Sequence, residues 1–313
     1  MFDVTFLGTA ATTPSAERGL PALLVGAGSE RFLVDCGEGT QRQLLRAGAG
    51  FRRLGHVLLT HAHLDHVLGL AGLLSTLALF DLRDEVAICG SGETMRFVEG
   101  YFAGIWGRGR APVALRLVAL EPGPVLAGRD YRVACFPVPH RGSQSLGYRF
   151  EAMPRRHLDP ARLAALAVPS GPLRAALARG EPVELPDGRR IGPEMVEGAA
   201  APAASLAVIG DIEATDPVVE AVAGAGALVI EATFLDADAA LARHRGHLTA
   251  GQAGRLAAAA GVGQLYLTHL SGRYEAASVA EEARRYFSNV AAMNDFDRVA
   301  ASGLAWTKPH HPA

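Results

Sequence analysis

The sequence has little of several features that mark particular classes of protein. Lys308 is the only lysine among 313 residues and the formal net charge is −2, so the chain as a whole does not attract nucleic acid. The three cysteines, Cys36, Cys89 and Cys135, form no C-x-x-C pair, which argues against a disulfide framework and fits a reducing cytosol. No run approaches the roughly 18 apolar residues of a membrane span, and Met1–Leu7 is typical of a first strand rather than a signal peptide. We therefore expect a soluble cytoplasmic protein.

The sequence does have enough apolar material for a substantial core. Hydrophobic residues make up 49% and charged residues 20% of the chain, which argues against wholesale disorder. We predict a single domain over residues 1–313, interrupted at 151–204 by a proline-rich insertion with little core of its own. Inside the insertion, short helices are predicted at Ala161–Ala167 and Leu173–Arg179, and the arginines are balanced by carboxylates.

The segment Thr60–His66 carries most of the chemical information. It directly follows Val57–Leu59, an apolar run typical of a buried strand. Its ligand-type residues are His61, His63, Asp65 and His66. Histidine and carboxylate together suit zinc or a similar divalent ion. A polar loop of unrelated histidines is the plain alternative, but it does not explain this density of ligand types after a strand.

Other apolar strands also end in a ligand-type residue: His140, Asp211 and His269. The edge of a sheet covered by helices collects such residues, so we expect all seven side chains to converge. Seven are too many for one tetrahedral ion but suit two ions that share a carboxylate, and Asp211 is the natural bridge. The pairs Thr60-His61 and Thr268-His269 both end apolar strands, which suggests two similar halves meeting at one site.

Two further predictions concern the surroundings of this motif. Asp35 ends a predicted strand beside the glycine-rich turn Cys36–Thr40, and it is either a partner that orients metal-binding histidines or a helix cap. Val67–Leu79 is mostly apolar and lacks proline, so one helix is predicted to continue directly from the ligand segment.

These segments resemble a known family. Thr60–His66 matches the H-x-H-x-D-H motif of the metallo-β-lactamase fold, and the chain as a whole is similar to the ribonuclease Z family of tRNA 3′-processing endonucleases. The other matching segments are Phe6–Thr9 with Pro14 and Arg18, Asp35–Gln41, Gly69-Leu70 with Gly72-Leu73, His140 with Gly147–Phe150, Gly210-Asp211, Glu231–Phe234, and Thr268-His269 with Arg273-Tyr274. The resemblance spans nearly the whole chain.

The resemblance implies an α/β fold, a four-layered αββα sandwich with a protruding arm, and two Zn²⁺ per subunit, with Mn²⁺ or Fe²⁺ as alternatives. It implies that His61, His63 and His140 hold one ion, that Asp65, His66 and His269 hold the other, and that Asp211 bridges them. The insertion 151–204 takes the place of the family's flexible arm, which binds precursor tRNA, and Gly171-Pro172 fits its Gly-Pro segment. The family also implies a homodimer.

The expected reaction is removal of 3′ trailers from precursor tRNA. Two cations lower the pKa of a shared water, and the hydroxide attacks phosphorus to leave a tRNA 3′ hydroxyl and a 5′-phosphate trailer. Asp65 is predicted to orient or deprotonate the water, and His247, oriented by Glu231, to protonate the leaving oxygen. Arg273 and Tyr274 are predicted either to contact a substrate phosphate and base or simply to pack on the surface.

The sequence departs from the family pattern at Ile230, Leu248 and Ile212, where polar residues usually support the metal ligands. Three other functions remain open at this level. One is a hydrolase of the same fold acting on a small phosphodiester, sulfate ester or lactone, and another is a non-catalytic RNA-binding or structural metalloprotein. A redox protein with an iron pair is the third, but it predicts a carboxylate where this chain has histidine throughout.

Overall fold

The computed structural model describes residues 2–82, 85–153, 157–198, 203–302, 305–307 and 309–311. The chain divides into two compact units, one formed by Met1–Glu151 with Ala204–Ala313 and the other by Ala152–Ala203. Residues 154–156 and 199–202 of the predicted insertion lie outside the described residues.

Strands form most of the framework. In chain order they are β1 (Phe2–Gly8), β2 (Ala22–Ala27), β3 (Glu30–Val34), β4 (Leu54–Leu58), β5 (Glu85–Ser91), β6 (Ala114–Leu120), β7 (Gly123–Ala127), β8 (Tyr131–His140), β9 (Ser143–Ala152), β10 (Val183–Glu184), β11 (Arg190–Ile191), β12 (Ser205–Val208), β13 (Ala227–Glu231), β14 (Gln264–Thr268), β15 (Val290–Ala292), β16 (Arg298–Ser302) and β17 (Ala305–Trp306).

The helices are short, apart from one of 15 residues. They are α1 (Thr40–Arg46), α2 (Leu64–Val67), α3 (Leu70–Leu79), α4 (Gly92–Trp106), α5 (Pro160–Ala165), α6 (Pro172–Ala178), α7 (Pro193–Val196), α8 (Val219–Val222), α9 (Ala239–Arg245), α10 (Ala250–Ala259) and α11 (Ala276–Arg284). Two 3-10 turns lie at Asp216–Val218 and Asp236–Asp238. Among the described residues, no helix combines the length and apolar character that crossing a bilayer requires.

Two large sheets form the larger unit. The eight-stranded sheet has the order β17-β16-β1-β2-β3-β4-β5-β6, and the seven-stranded sheet has the order β15-β14-β13-β12-β9-β8-β7. Aromatic rings from the two sheets meet between them, since Phe150 on β9 contacts Phe2 on β1 and Phe32 on β3, at centroid separations of 6.3 and 5.6 Å. Strands β3 to β6 run parallel to one another, as do β12 to β15.

Helices cover the outer face of each sheet. Leu44 of α1, Leu73 of α3 and Val98 of α4 join one buried apolar cluster with the eight-stranded sheet. Leu256 of α10 and Val279 of α11 join a second cluster with the seven-stranded sheet. Helix, sheet, sheet and helix layers follow in that order, which confirms the predicted αββα sandwich.

The single helix predicted over Val67–Leu79 is wrong, because the chain forms α2 and α3 with a break at Gly69. The Gly69 N–H donates to the carbonyl of Cys36 at 2.9 Å. A Cβ on Gly69 would lie 2.0 Å from the carbonyl oxygen of Gly37. The loop after β3 therefore passes directly against this position, which interrupts the helix and holds α2 beside that loop.

Strand β9, which lies in the interior of the seven-stranded sheet, was not predicted from the sequence. Its residues do not alternate cleanly between apolar and polar, and Gly147 interrupts the pattern. A Cβ on Gly147 would lie 2.5 Å from the Phe136 ring, so glycine is required by close packing on the neighbouring strand β8.

The smaller unit contains the two predicted helices, observed as α5 and α6, together with α7 and the hairpin β10–β11. The prediction that it has little core of its own is wrong. It encloses an apolar cluster whose buried members are Leu163, Val168, Leu177, Val183, Leu185, Ile191 and Val196. These residues are scattered between prolines and lack a sustained period, which is why the sequence did not reveal them.

We predict that Gly69→Ala destabilises the protein by about 1–3 kcal/mol or more, since the added methyl group meets backbone atoms that cannot rotate away. Gly104→Ala is the matched control, because a Cβ there meets nothing within 4 Å in the interior of α4. That substitution is expected to raise stability by about 0.5–1 kcal/mol. Urea unfolding followed by circular dichroism measures both, and equal effects of the two variants would contradict the packing argument.

Candidate active site

The site lies where strands of both sheets end. His61 comes shortly after β4, His140 is the last residue of β8, and Asp211 follows β12. Glu231 ends β13 and His269 follows β14. Because β12, β13 and β14 are parallel neighbours, their carboxyl ends meet at one edge of the sheet.

Two site residues have backbone angles that non-glycine residues seldom adopt. Asp35, after β3, has φ +59°, and His269, after β14, has φ +54°. This left-handed conformation costs of order 1 kcal/mol for such residues and persists where surrounding contacts enforce it. At both positions it turns the chain sharply out of the strand, so that the side chain points into the site.

Asp211 lies between two groups of histidines. Its Oδ2 is 3.7 Å from Nε2 of His61 and 3.8 Å from Nε2 of His140. Its Oδ1 is 3.3 Å from Nε2 of His66 and 3.2 Å from Nε2 of His269. Each carboxylate oxygen therefore faces a different group of ring nitrogens.

His63 and Asp65 complete the two groups. Nδ1 of His63 lies 3.3 Å from Nε2 of His140. Oδ2 of Asp65 lies 3.6 Å from Nε2 of His66 and 3.5 Å from Nε2 of His269. The structure thus brings together all seven predicted ligands, and within each group the ligand atoms lie within 4.8 Å of one another.

The donor atoms fit a divalent metal. Four of them are buried and have no hydrogen-bond partner among the described residues: Nε2 of His61, His66 and His269, and Oδ1 of Asp211. A tetrahedral ion with bonds of about 2.1 Å separates its ligand atoms by about 3.4 Å, which is close to the spacings observed here. An ion in each group would therefore satisfy atoms that the protein leaves without partners.

The opposite ring nitrogens are held by the protein. Nδ1 of His66 lies 2.7 Å from Oδ2 of Asp35, and Nδ1 of His140 lies 2.9 Å from the carbonyl oxygen of Gly246. Since carboxylate and carbonyl oxygens only accept, each Nδ1 carries a proton, and each Nε2 is the nitrogen that a metal ion would bind. Asp35 therefore orients a histidine, while the cap position of α1 is occupied by Gly39.

Glu231 is fully buried and holds His247. Its Oε1 accepts from Nδ1 of His247 at 3.0 Å and from the backbone N–H of Ile212 at 2.7 Å, and its Oε2 accepts from the N–H of Leu248 at 3.3 Å. Ile212 and Leu248 thus contribute backbone donors although their side chains are apolar. Their side chains and that of Ile230 are buried in the apolar cluster of the seven-stranded sheet.

The charges of the site follow from burial and from its neighbours. Burial lowers the pKa of His61 well below its ordinary value, which keeps its ring neutral. Burial would raise the pKa of Asp211, but His269 and His66 outweigh it and hold the pKa well below the usual range. Burial would likewise lower the pKa of His247, but the Glu231 carboxylate outweighs it and raises the pKa to about 9.

The predicted substrate-binding residues lie outside this cluster. Arg273 is exposed, and the Tyr274 hydroxyl donates to Oδ2 of Asp238. Burial, with Asp238, raises the pKa of Tyr274 to about 12. Gly171, with φ +110°, and Pro172 begin α6 in the smaller unit.

Sequence reasoning missed three supporting groups. The carbonyl of Gly246 has no sequence signal, since any residue offers a carbonyl. The hydroxyls of Thr60 and Thr233 contact Nδ1 of His61 and of His269, at 3.0 and 2.9 Å. Thr233 had a usable signal, because residues two apart in an extended segment point to the same side, as Glu231 and Thr233 do.

Comparisons with known proteins agree with this geometry. The family model of the metallo-β-lactamase superfamily matches residues 19–79. Ribonuclease Z of Bradyrhizobium diazoefficiens is 55% identical over 299 residues, which cover 96% of this chain and 99% of that protein. Ribonuclease Z of Gemmatimonas aurantiaca is 38% identical over 296 residues, 93% of each chain.

Among solved structures, the short form of human tRNase Z superposes with a TM-score of 0.66 at 24% identity, covering 96% of this chain and 99% of that one. At these levels of identity the structural likeness shows the fold alone.

We predict that Asp211→Ala loses bound divalent metal, because this carboxylate faces both groups of histidines. The apparent affinity is expected to fall by more than the roughly 10- to 100-fold that loss of an outer partner costs. Asp216→Ala removes an exposed carboxylate from the following turn and is expected to bind metal like the parent. Elemental analysis after dialysis measures both, and unchanged metal content in Asp211→Ala would contradict the bridging geometry.

Proposed function

Because this chain belongs to the ribonuclease Z family of the metallo-β-lactamase superfamily, we infer that it is a metal-dependent endoribonuclease that processes the 3′ ends of precursor tRNAs. The observation that carries this function is 55% identity to a ribonuclease Z over nearly the full length of both chains. The cluster of histidine and aspartate side chains supplies a chemical basis for a metal-dependent hydrolase.

We propose that two Zn²⁺ ions occupy the site, held by His61, His63 and His140 on one side and by Asp65, His66 and His269 on the other, with Asp211 between them. Two observations support this assignment. The two carboxylate oxygens of Asp211 face different groups of histidines, and Nε2 of His61, His66 and His269 has no hydrogen-bond partner among the described residues. Mn²⁺ and Fe²⁺ accept similar ligands and are alternatives. When bound, the ions activate water and neutralise charge on the phosphodiester.

Two residues of the protein are proposed to carry out the proton transfers, Asp65 and His247. Oδ2 of Asp65 faces His66 and His269, and within the described residues no hydrogen bond engages its Oδ1. We propose that Oδ1 orients the attacking water and accepts its proton. His247 stands as the acid that protonates the leaving 3′ oxygen, so that the products are a tRNA 3′ hydroxyl and a 5′-phosphate trailer.

His247 also lies near enough to Asp211 and His269 to belong to a group of metal ligands. Two observations favour the acid role. Nδ1 of His247 is 3.0 Å from Glu231 but 3.9 Å from Asp211, so the ring is already held by the former. Its side chain is also 12% exposed, whereas that of Asp211 is 2% exposed, and an acid must reach the substrate.

We propose that residues 151–204, with Gly171-Pro172, form the arm that binds the tRNA body. Two arginines in its described part are paired with carboxylates, Arg179 with Glu181 at 2.8 Å and Arg189 with Asp187 at 2.7 Å. Exposed pairs of this kind contribute little to stability in water, so RNA phosphates can replace the carboxylates. Arg273 and Tyr274 are proposed to contact the substrate near the site.

The assembly and location of the enzyme are also proposals. We propose a homodimer by similarity to the family, with the arm of one subunit serving the site of the other. A cytoplasmic location agrees with the tRNA substrate and with Cys36, Cys89 and Cys135, which are buried and unpaired.

The acid role predicts a difference between substrates. His247→Ala should lower precursor tRNA cleavage by about 10²- to 10⁴-fold, because the ribose leaving group needs a proton. Hydrolysis of bis(p-nitrophenyl) phosphate should change little, since p-nitrophenolate leaves without one. His244→Ala, an exposed histidine three residues earlier, is the control. Equal loss on both substrates would reject the acid role.

The pH dependence of cleavage tests the Glu231 contact. The carboxylate raises the pKa of His247 to about 9, so the protonated acid persists as pH rises until that pKa is passed. Glu231→Gln removes the charge, lowers the pKa of His247, and should move the alkaline fall in kcat to lower pH. An alkaline limb at the same pH in parent and variant would contradict this.

The proposed role of the arm predicts that a variant without it loses precursor tRNA cleavage but keeps hydrolysis of a small phosphodiester. Replacing residues 160–195 by two glycines joins Asp159 to Val196, which lie next to the bridge between Leu158 and Glu197. The variant should lose about 100-fold or more in kcat/KM for precursor tRNA, about 3 kcal/mol of binding energy, while bis(p-nitrophenyl) phosphate hydrolysis persists. Full tRNA cleavage by the variant would refute the arm's role.

A further inference from the structure

Two buried carboxylates, Asp35 and Glu231, support the candidate metal ligands without belonging to them. Each is linked to one histidine through a threonine hydroxyl. Asp35 contacts Nδ1 of His66 directly at 2.7 Å. Its Oδ2 also accepts from the Thr60 hydroxyl at 2.9 Å, and that same hydroxyl lies 3.0 Å from Nδ1 of His61. Asp35 therefore orients the His66 ring directly and the His61 ring through the Thr60 hydroxyl.

Glu231 repeats this arrangement on the other sheet. It contacts Nδ1 of His247 directly at 3.0 Å. Its Oε2 accepts from the Thr233 hydroxyl at 2.6 Å, and that hydroxyl lies 2.9 Å from Nδ1 of His269. Thr233 is 5% exposed and Glu231 is fully buried, so no solvent competes strongly for these contacts.

The direction of these hydrogen bonds is determined by the atoms involved. A hydroxyl has one proton, and the carboxylate can only accept it. The carbonyl of His269, at 3.0 Å, is the rival acceptor for Thr233, but the carboxylate is closer and charged. With its proton on Glu231, Thr233 accepts from Nδ1–H of His269, which leaves Nε2 of that ring as a lone pair facing Asp211 and Asp65.

We propose that Thr233 is a positioning residue that fixes the tautomer and orientation of His269, and that Thr60 does the same for His61. The inference rests on the metal-dependent function proposed above and extends it. Through Thr233, the carboxylate that orients the candidate acid His247 also orients a metal ligand, so Glu231 serves both roles from one position.

The chain offers a matched control. Thr268 directly precedes His269, as Thr60 precedes His61, and the sequence alone suggests that these two threonines are equivalent. Within the described part of the chain, however, no hydrogen bond joins the Thr268 side chain to His269 or Glu231, and Thr268 instead helps to line a cavity of about 40 Å³ that His269 and Glu231 also line. The hydroxyl that contacts the His269 ring belongs to Thr233, 36 residues earlier in the chain.

The test compares the parent with Thr233→Val, Thr233→Ser and Thr268→Val. Zn²⁺ affinity is measured by competition with a chromophoric chelator, and the visible spectrum of the Co²⁺-loaded protein reports ligand geometry. Thr233→Val keeps the shape but removes the hydroxyl, and we expect Zn²⁺ affinity to fall about 10- to 100-fold with an altered Co²⁺ spectrum. Thr233→Ser and Thr268→Val should remain near the parent in both measurements.

A purely structural role for Thr233 would lower the unfolding midpoint of the metal-free protein in Val and Ser variants alike without changing Co²⁺ geometry. That result would overturn the inference, as would equal Zn²⁺ affinity in Thr233→Val and the parent, or equal losses in Thr233→Val and Thr268→Val. These outcomes leave the metal-dependent function standing if the parent binds Zn²⁺ and cleaves precursor tRNA. A parent that binds neither Zn²⁺ nor Co²⁺ would overturn both.

Discussion

Burial of polar atoms without protein partners is the constraint on which the site depends. Four atoms are shielded from water and have no hydrogen-bond partner in the described part of the chain: Nε2 of His61, His66 and His269, and Oδ1 of Asp211. Each such atom costs about 1–3 kcal/mol when left alone. The fold nevertheless gathers them around one carboxylate and holds the opposite ring nitrogens, which removes the freedom to turn towards another partner. A bound divalent metal would satisfy these atoms, so the cost of burying them favours metal binding.

The two sheets contribute to this arrangement in the same way. Asp35 follows a strand of the eight-stranded sheet, and Glu231 ends a strand of the seven-stranded sheet. Each carboxylate is buried, and each orients one ring directly and one through a hydroxyl. Rings whose Nδ1 is already held lose little further entropy when an ion binds at Nε2. The outer contacts therefore explain how histidines from distant parts of the chain present lone pairs to one small volume.

Much of this could be predicted from the sequence, and the misses have physical causes. The resemblance to a known family predicted the αββα layers, and the ligand-type residues at the ends of apolar strands predicted the set of side chains that meet. The continuous helix over Val67–Leu79 failed at Gly69, because a loop from elsewhere in the chain packs against it. Strand β9 was missed because Gly147 serves cross-strand packing rather than a turn. The apolar cluster of the smaller unit was missed because its members follow no period.

The sequence by itself determined which chemical groups are available and that they stand at strand ends, because ligand type and apolar runs are local properties. Only the tertiary structure decided which threonine or carboxylate orients which histidine. The repeated Thr-His pair places Thr268 next to His269 in the sequence, yet the hydroxyl that contacts the His269 ring belongs to Thr233. The reason is that β13 and β14 are parallel neighbours, so Thr233 and His269, just past the ends of these strands, lie side by side.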